Sequence, residues 1–203
     1  MEEIFDNIIK KKKWTQHPCG PGSTLQYTEH LRKNLSKVLD EYDINSMLDI
    51  PCGDFSWMST INFPSGFTYI GADIVSDMIL NVQIKYPNFK FIRLDITKDK
   101  LPTADLFFIR DCLLHFSFKD IRSAFENIIK SNPKYIMTSN WFEGYNNFQD
   151  INTGNGRTLN FLESPFNFGP PLVSIKDYIK GFPKRKMLLW KAEVIQNYLN
   201  NND

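Results

Sequence analysis

Cysteine is scarce in this chain, and the three residues present, Cys19, Cys52 and Cys112, are far apart and lack metal-ligand spacing. An odd, scattered set excludes a disulfide framework and a zinc site, and it fits a reducing, cytoplasmic setting. Long apolar runs are missing as well. No stretch approaches the roughly 20 residues of a membrane span, and the first residues are charged rather than basic and then apolar, so neither membrane insertion nor a secretory leader is expected. Charge of one sign is not in excess either. A net charge of +1 gives no long-range field of the kind that nucleic-acid-binding domains carry. The lysine run at 10–13 is the local exception, read as a solvated terminal segment or as a contact to phosphate or anionic lipid. With 203 residues, 42% of them hydrophobic, and no internal repeat, the chain suffices for one well-buried domain over 1–203 and is short for two.

What is there alternates. Apolar periodicity predicts strands near 46–50, 67–73, 89–94, 104–109 and 134–139, with helices near 24–42, 55–61, 76–86 and 118–130 between them. Such alternation makes an α/β fold with a doubly wound, mostly parallel sheet and helices on both faces. Ser23 with Gln26 fits a capping box for the first of these helices, and Ser117 fits a cap for the last. The connection over 97–102 is too short for a crossover helix and reads as a loop. Beyond residue 140 asparagine and glycine crowd a long polar segment, 140–165, which loop statistics mark as functional or as a simple crossover. Pro165, Pro170 and Pro171 interrupt any helix, and 186–194 reads as a last strand.

Three of the predicted strands end in an acid. Ser46-Met47-Leu48-Asp49-Ile50-Pro51-Cys52-Gly53 leads an apolar run into an acid and a tight glycine turn. About twenty residues on, Tyr69-Ile70-Gly71-Ala72-Asp73 ends in a second acid, and Phe91-Ile92-Arg93-Leu94-Asp95 in a third. Three carboxylates along the carboxyl rim of a parallel sheet, with the second at ribose-binding spacing, make the layout of an adenosine site.

On these residues the chain resembles the class I S-adenosylmethionine-dependent methyltransferases, over about residues 23–190. Their first motif, acid-x-Gly-x-Gly-x-Gly, corresponds to Asp49-Ile50-Pro51-Cys52-Gly53-Asp54-Phe55, in which only the middle glycine survives and Pro51 and Phe55 replace the outer two. More closely, the chain is similar to a small subfamily of bacterial and viral methyltransferases. That subfamily reads G-x-G-S-T (here 20–24), D-x-P-C-G-D-F-x-W-M (49–58), R-D-x-L-x-H (110–115) and a late Asn-Gly-Arg segment (152–160). The resemblance implies S-adenosylmethionine as cofactor and a Rossmann-like sheet closed by an antiparallel C-terminal strand. It implies Asp73, with Ile74, at the ribose, Asp95 and Ile96 at the adenine, Asp49 and Gly53 at the methionine half, and Arg110 beside them.

Methyl transfer demands alignment and, for a hydroxyl acceptor, a base. His115 is the base candidate, because imidazole titrates near neutral pH; a core histidine satisfied by backbone is the plain alternative. Arg110 and Asp111 sit on the same rim, as a ligand contact or as a structural ion pair. The acceptor is expected between a lid segment at 1–23 and the 140–165 loop, with Thr24, Trp141, Asn152, Arg157 and Asn160 on its side, Arg157 as an anion clamp. His30 reads as surface, His17 as part of the N-terminal segment, and Trp14, Trp57 and Trp141 as pocket walls or core. Members of the subfamily occur with surface-polysaccharide modification, which implies a small sugar, sugar-nucleotide or phosphate-like acceptor, capsular phosphoramidate included, methylated at oxygen. Three other readings stand beside this one: an NAD-dependent oxidoreductase, a non-catalytic adenosine-binding module, and a nucleic-acid methyltransferase, which the neutral charge disfavours.

Overall fold

The computed structural model describes residues 1–11 and 19–201; Lys12, Lys13, Trp14 and His17 lie outside the described residues. The described residues form, in chain order, α1 (Glu2–Lys10), α2 (Glu29–Glu41), β1 (Ser46–Asp49), β2 (Thr68–Asp73), α3 (Ser76–Lys85), β3 (Lys90–Arg93), β4 (Leu106–Ile109), α4 (Phe118–Lys130), β5 (Tyr135–Trp141), β6 (Val173–Lys176), β7 (Arg185–Lys191) and α5 (Ala192–Asn200). The strands form one sheet in the order β3-β2-β1-β4-β5-β7-β6. β1 to β5 are parallel, and β7 runs antiparallel to β5 and to the edge strand β6.

Period-two alternation explains why both faces of the sheet are covered. In β4 Leu106 and Phe108 join one core while Phe107 and Ile109 join the other, and in β7 Met187 and Leu189 divide from Leu188 and Trp190 in the same way. Strands buried on both faces are the rule for parallel sheets flanked by helices. α2 supplies Leu31, Leu35, Val38 and Leu39 to one core; α4 supplies Ile121, Ala124, Phe125 and Ile128 to the other, each at helical spacing. Ser117 caps α4 by accepting the Asp120 N–H at 3.1 Å.

Three sequence expectations change. No α-helix forms over 55–61, where a 3₁₀ turn at Met58–Thr60 stands instead. Phe55 takes φ +58°, outside the helical region, and the Asp54 carboxylate accepts from the Ser56 N–H and hydroxyl, closing a local turn that competes with a helix. The Ser23–Gln26 capping box is absent, because the Ser23 hydroxyl donates to the Cys19 carbonyl within the Pro21–Ser23 3₁₀ turn, and α2 starts later, after Thr28. The last strand ends at Lys191, and α5 takes up the rest of the expected run; α1 and β6 are elements the apolar pattern did not mark.

Phe55 occupies the place of a motif glycine and keeps a left-handed backbone, uncommon for a bulky residue. Its ring is fully buried and meets Tyr69, Tyr86, Phe89 and Phe91 at centroid distances of 4.8–5.0 Å. Four such contacts outweigh the strain of the backbone, since each aromatic pair adds roughly 0.5–1.5 kcal/mol beyond burial. Phe55→Ala is therefore expected to cost about 3–5 kcal/mol of unfolding free energy in urea titration, the range for truncating a core phenylalanine. A loss below about 1 kcal/mol would show that the ring cluster does not hold this turn.

Candidate active site

The carboxyl ends of β1, β2 and β4 open into a cleft. Met1 and, from α1, Phe5 and Ile9 line it, and Asp49, Gly53, Asp73, Ile74, Ile96, Arg110, Asp111 and His115 all stand on its walls. Seven of the residues expected for the cofactor or for chemistry are thereby brought together with the ribose candidate Asp73. Asp95 is the exception: its carboxylate accepts from the Thr97 N–H at 3.0 Å and the Thr97 hydroxyl at 2.6 Å, so it serves its own turn while Ile96 faces the cleft.

Asp73 is buried and accepts the Gly53 N–H at 3.2 Å and the Val75 N–H at 3.0 Å. Gly53 closes this contact at φ +55°, and a Cβ there would come within 2.8 Å of the Cys19 sulfur, so both conformation and space require glycine. Burial pushes the Asp73 carboxyl up to about 6, against those backbone hydrogen bonds. Asp49, also buried, accepts the Tyr69 hydroxyl at 2.6 Å on one oxygen; its other oxygen has no protein partner. Burial pushes Asp49 up to about 7 in spite of the Tyr69 bond and the Arg110 charge. A buried acceptor without a donor is costly and marks a place where a ligand donor belongs. All three cysteines line the same cleft, and burial raises each thiol, Cys19 to about 12, so they present uncharged, apolar wall.

Arg110 and Asp111 belong to an ion network whose other half the sequence reading missed. Arg110 clasps Asp177 with two bonds of 2.9 and 3.0 Å and donates to the Gly22 carbonyl at 2.7 Å. Arg185 binds the same Asp177 at 3.0 Å and reaches Asp111 with its other end. Trp57 stacks near Arg110 at 5.3 Å, and Tyr27 near Arg185 at 4.9 Å. Gly22 lets the chain pass, since a Cβ there would stand 3.1 Å from the Arg185 guanidinium. Burial would raise the Asp111 carboxyl, but the Arg185 and Arg110 charges hold it below the usual carboxylate range. The signal for the missed partners is thin: Asp177 is the lone acid between Lys176 and Lys186 in an otherwise basic stretch.

Among the described residues, none of Thr24, Trp141, Asn152, Arg157 and Asn160 lines the cleft. Thr24 closes the 3₁₀ turn through its hydroxyl, and Trp141 is buried beside Arg185. Asn160 is buried, accepting from Asn140 at 3.0 Å and from the Leu162 N–H at 3.1 Å. Asn152 is exposed in the turn that runs to Asn155. The Arg157 guanidinium, expected as an anion clamp, donates inward to the Phe116 carbonyl at 2.9 Å and pairs with Asp150 at 3.2 Å. His30 is exposed and Trp57 buried. No group of three or more His, Cys, Asp or Glu among the described residues could hold a metal, and no described helix is long and apolar enough to cross a membrane.

No protein-family model and no curated protein matches the sequence. Solved structures do match, the three named next at 11–12% identity. The methyltransferase domain of bacterial CtHen1 superposes with a TM-score of 0.60 at 11% identity, covering 81% of this chain and 99% of that domain. Magnesium protoporphyrin IX methyltransferase from Synechocystis, with bound S-adenosylhomocysteine, gives 0.58 at 11% identity over 81% of this chain and 83% of that one. A Leishmania major S-adenosylmethionine-dependent methyltransferase gives 0.63 at 12% identity over 92% and 82%. The chain therefore has the Rossmann-like fold of these methyltransferases.

Asp177 has no exposed side-chain surface and faces two arginines. Removing one partner of a buried ion network leaves the others uncompensated, so Asp177→Ala is expected to lose about 3–5 kcal/mol of stability in denaturant titration. Asp177→Ala as stable as wild type would mean that the arginines find water or other acceptors and that the network is dispensable.

Proposed function

We propose that the chain is a cytoplasmic S-adenosylmethionine-dependent methyltransferase acting on an oxygen of a small polar acceptor. The observation that carries this reading is the buried, half-partnered carboxylate of Asp49 beside Asp73, at the rim of a methyltransferase-like sheet. Asp49 offers its unpartnered oxygen to the methionine ammonium, Asp73 takes the ribose hydroxyls, and Ile74 and Ile96 flank the adenine. The fit is chemical as well as spatial, because a cationic donor relieves a carboxylate that burial otherwise drives toward protonation. α1 serves as the lid, with Met1, Phe5 and Ile9 over the cleft.

When bound, S-adenosylmethionine would supply a methyl group on sulfonium sulfur for transfer to the acceptor oxygen, the electron pair of the broken carbon–sulfur bond staying on sulfur. His115 takes the proton that the acceptor hydroxyl gives up. Burial lowers its pKa from the ordinary histidine value, against the Asn155 hydrogen bond and the Asp111 charge, which favours the neutral, proton-accepting form of the ring at pH 7. Arg110 and Asp111, fixed by Asp177 and Arg185, hold the wall on which the acceptor rests. The resemblance to the polysaccharide-linked subfamily supports a sugar, sugar-nucleotide or phosphate-like acceptor, in line with the neutral overall charge.

Calorimetry with adenosylhomocysteine and NAD in parallel tests the cofactor. Adenosylhomocysteine should bind and NAD should not, because no α-helix follows β1 to receive a pyrophosphate on its N-terminus. Asp73→Ala should weaken binding by about 1–3 kcal/mol, the cost of leaving ribose hydroxyls without their acceptor. The ligand ammonium requires ionised Asp49, so affinity should be level above pH 7 and fall below it, by at most about tenfold per pH unit for one proton. An Asp49→Asn protein that keeps the wild-type pH profile would remove Asp49 from this role.

The base is tested by turnover at saturating cofactor. His115→Gln should bind adenosylhomocysteine normally and lose about 100- to 10,000-fold in rate. The wild-type rate should rise with pH to a plateau, with a midpoint below the ordinary histidine value, since the ring must be neutral to accept a proton. Folded His115→Gln with wild-type turnover would leave alignment alone as the mechanism and point to an acceptor already ionised.

A further inference from the structure

The polar turn at 150–157 lies against the segment that carries His115, and its contacts are unusually dense. The Gly154 N–H donates to the His115 carbonyl at 2.8 Å and the Arg157 N–H to the Leu114 carbonyl at 3.0 Å. The Arg157 guanidinium reaches the Phe116 carbonyl at 2.9 Å and covers the Phe118 ring at 4.2 Å. The Ser117 N–H donates to the Thr153 hydroxyl at 2.9 Å, and the Phe118 N–H to Asp150 at 2.8 Å. Every residue from Leu114 to Phe118 is thus bonded to this turn. The ring itself is included, for His115 Nδ1 stands 2.8 Å from the Asn155 carbonyl oxygen.

A carbonyl oxygen only accepts, so Nδ1 must carry the hydrogen. In a neutral imidazole the lone pair then belongs to Nε2. We propose that the 150–157 turn is a positioning device for His115, in which Arg157 holds the backbone of the 114–118 segment and the Asn155 carbonyl selects the tautomer with Nε2 as proton acceptor. Arg157 is a positioning residue in this scheme, acting through its grip on Phe116 and Asp150 rather than on the acceptor. Burial against Phe5 of α1, edge-on at 6.3 Å, favours the neutral ring; the Asp111 carboxylate on its own segment opposes it but is paired with Arg110 and Arg185, the Arg157–Asp150 pair is internally balanced, and Asp120 of α4 is engaged by Thr153. The use made of the base rests on the methyltransferase reading; the choice of tautomer does not.

The test is nitrogen NMR of ¹⁵N-histidine-labelled protein above the ionisation of His115, with its signals assigned by their loss in His115→Gln. Wild type should show a single neutral form with Nδ1 protonated and Nε2 unprotonated. In Arg157→Ala the two tautomers should mix, and turnover should fall on the order of 100-fold, the scale of a displaced catalytic group, while adenosylhomocysteine affinity and the acceptor KM hold. Thr153→Val, a gentler change, should move the same signals in the same direction and covers the case in which Arg157→Ala does not fold. A wild-type ring protonated at Nε2 would overturn the proposal, as would Arg157→Ala or Thr153→Val proteins with an unchanged ring spectrum and rate. A raised acceptor KM alone in Arg157→Ala would overturn it in favour of a direct acceptor contact. Failure of adenosylhomocysteine to bind would sink the methyltransferase reading and leave the tautomer result standing.

Discussion

Asp177 is the carboxylate on which the Arg110–Asp111 wall of the cleft depends. Two guanidiniums converge on it with no solvent in reach, and through them it joins four separate pieces of chain: the end of β4, the start of β7, the loop after β6 and the Gly22 turn. Two arginines and two aspartates cancel in charge, which is what makes their burial tolerable. A consequence for the cofactor side follows. With Arg110 and Arg185 already paired to Asp177 and Asp111, the buried carboxylates at the ends of β1 and β2 are Asp49 and Asp73, and burial makes both reluctant anions. The β1–β2 rim built this way favours a ligand that brings positive charge and hydroxyl donors there over one that brings a pyrophosphate to the first turn.

Most of the sheet was legible in the sequence, and the reason is the length of the apolar signal. Strands buried on both faces read as continuous apolar runs, and α4 was placed to the residue because a serine cap and a four-residue core stripe coincide. The acids that end β1 and β2 were legible for the same reason, being the first charges after such runs. What the sequence hid was long-range. α1 and β6 are short and gain their order from contacts to distant strands and helices, such as the Glu2 carboxylate that receives the Ser76 N–H and hydroxyl and Arg93. Asp177 and Arg185 carry no local pattern at all, because an ion pair across 67 or 74 residues of chain leaves no periodicity.

The polar loop is the instructive case. Its asparagines and its arginine have the composition of a ligand-binding segment, and from composition alone hydroxyl and phosphate contacts were the natural expectation. Asn147 and Asn160 instead cross-link the loop to itself, with the Asn147 amide donating to the Asn160 carbonyl at 2.7 Å and the Asn147 oxygen accepting the Asn160 N–H at 3.0 Å. A long irregular segment that crosses the surface must satisfy its backbone somewhere, and asparagine supplies donor and acceptor in one side chain. Polar composition therefore reports the needs of the loop before it reports those of any ligand.

The first turn makes the complementary point about motifs. Glycines in nucleotide-binding turns serve conformation, close approach and packing, and these functions separate here. Gly53 keeps the conformation and the close approach, while Phe55 reaches the same left-handed backbone and replaces glycine's close packing with a ring in an aromatic cluster. The same exchange ends the helix that would normally follow: the chain leaves Phe55 through a 3₁₀ turn, and the next α-helix comes only after β2. A dinucleotide needs the amides and dipole of a helix N-terminus directly behind the first strand, because its pyrophosphate has nowhere else to place two negative charges. A ligand whose charge near this turn is positive needs instead a carboxylate within reach, and Asp49, buried with one oxygen unanswered, is what stands there.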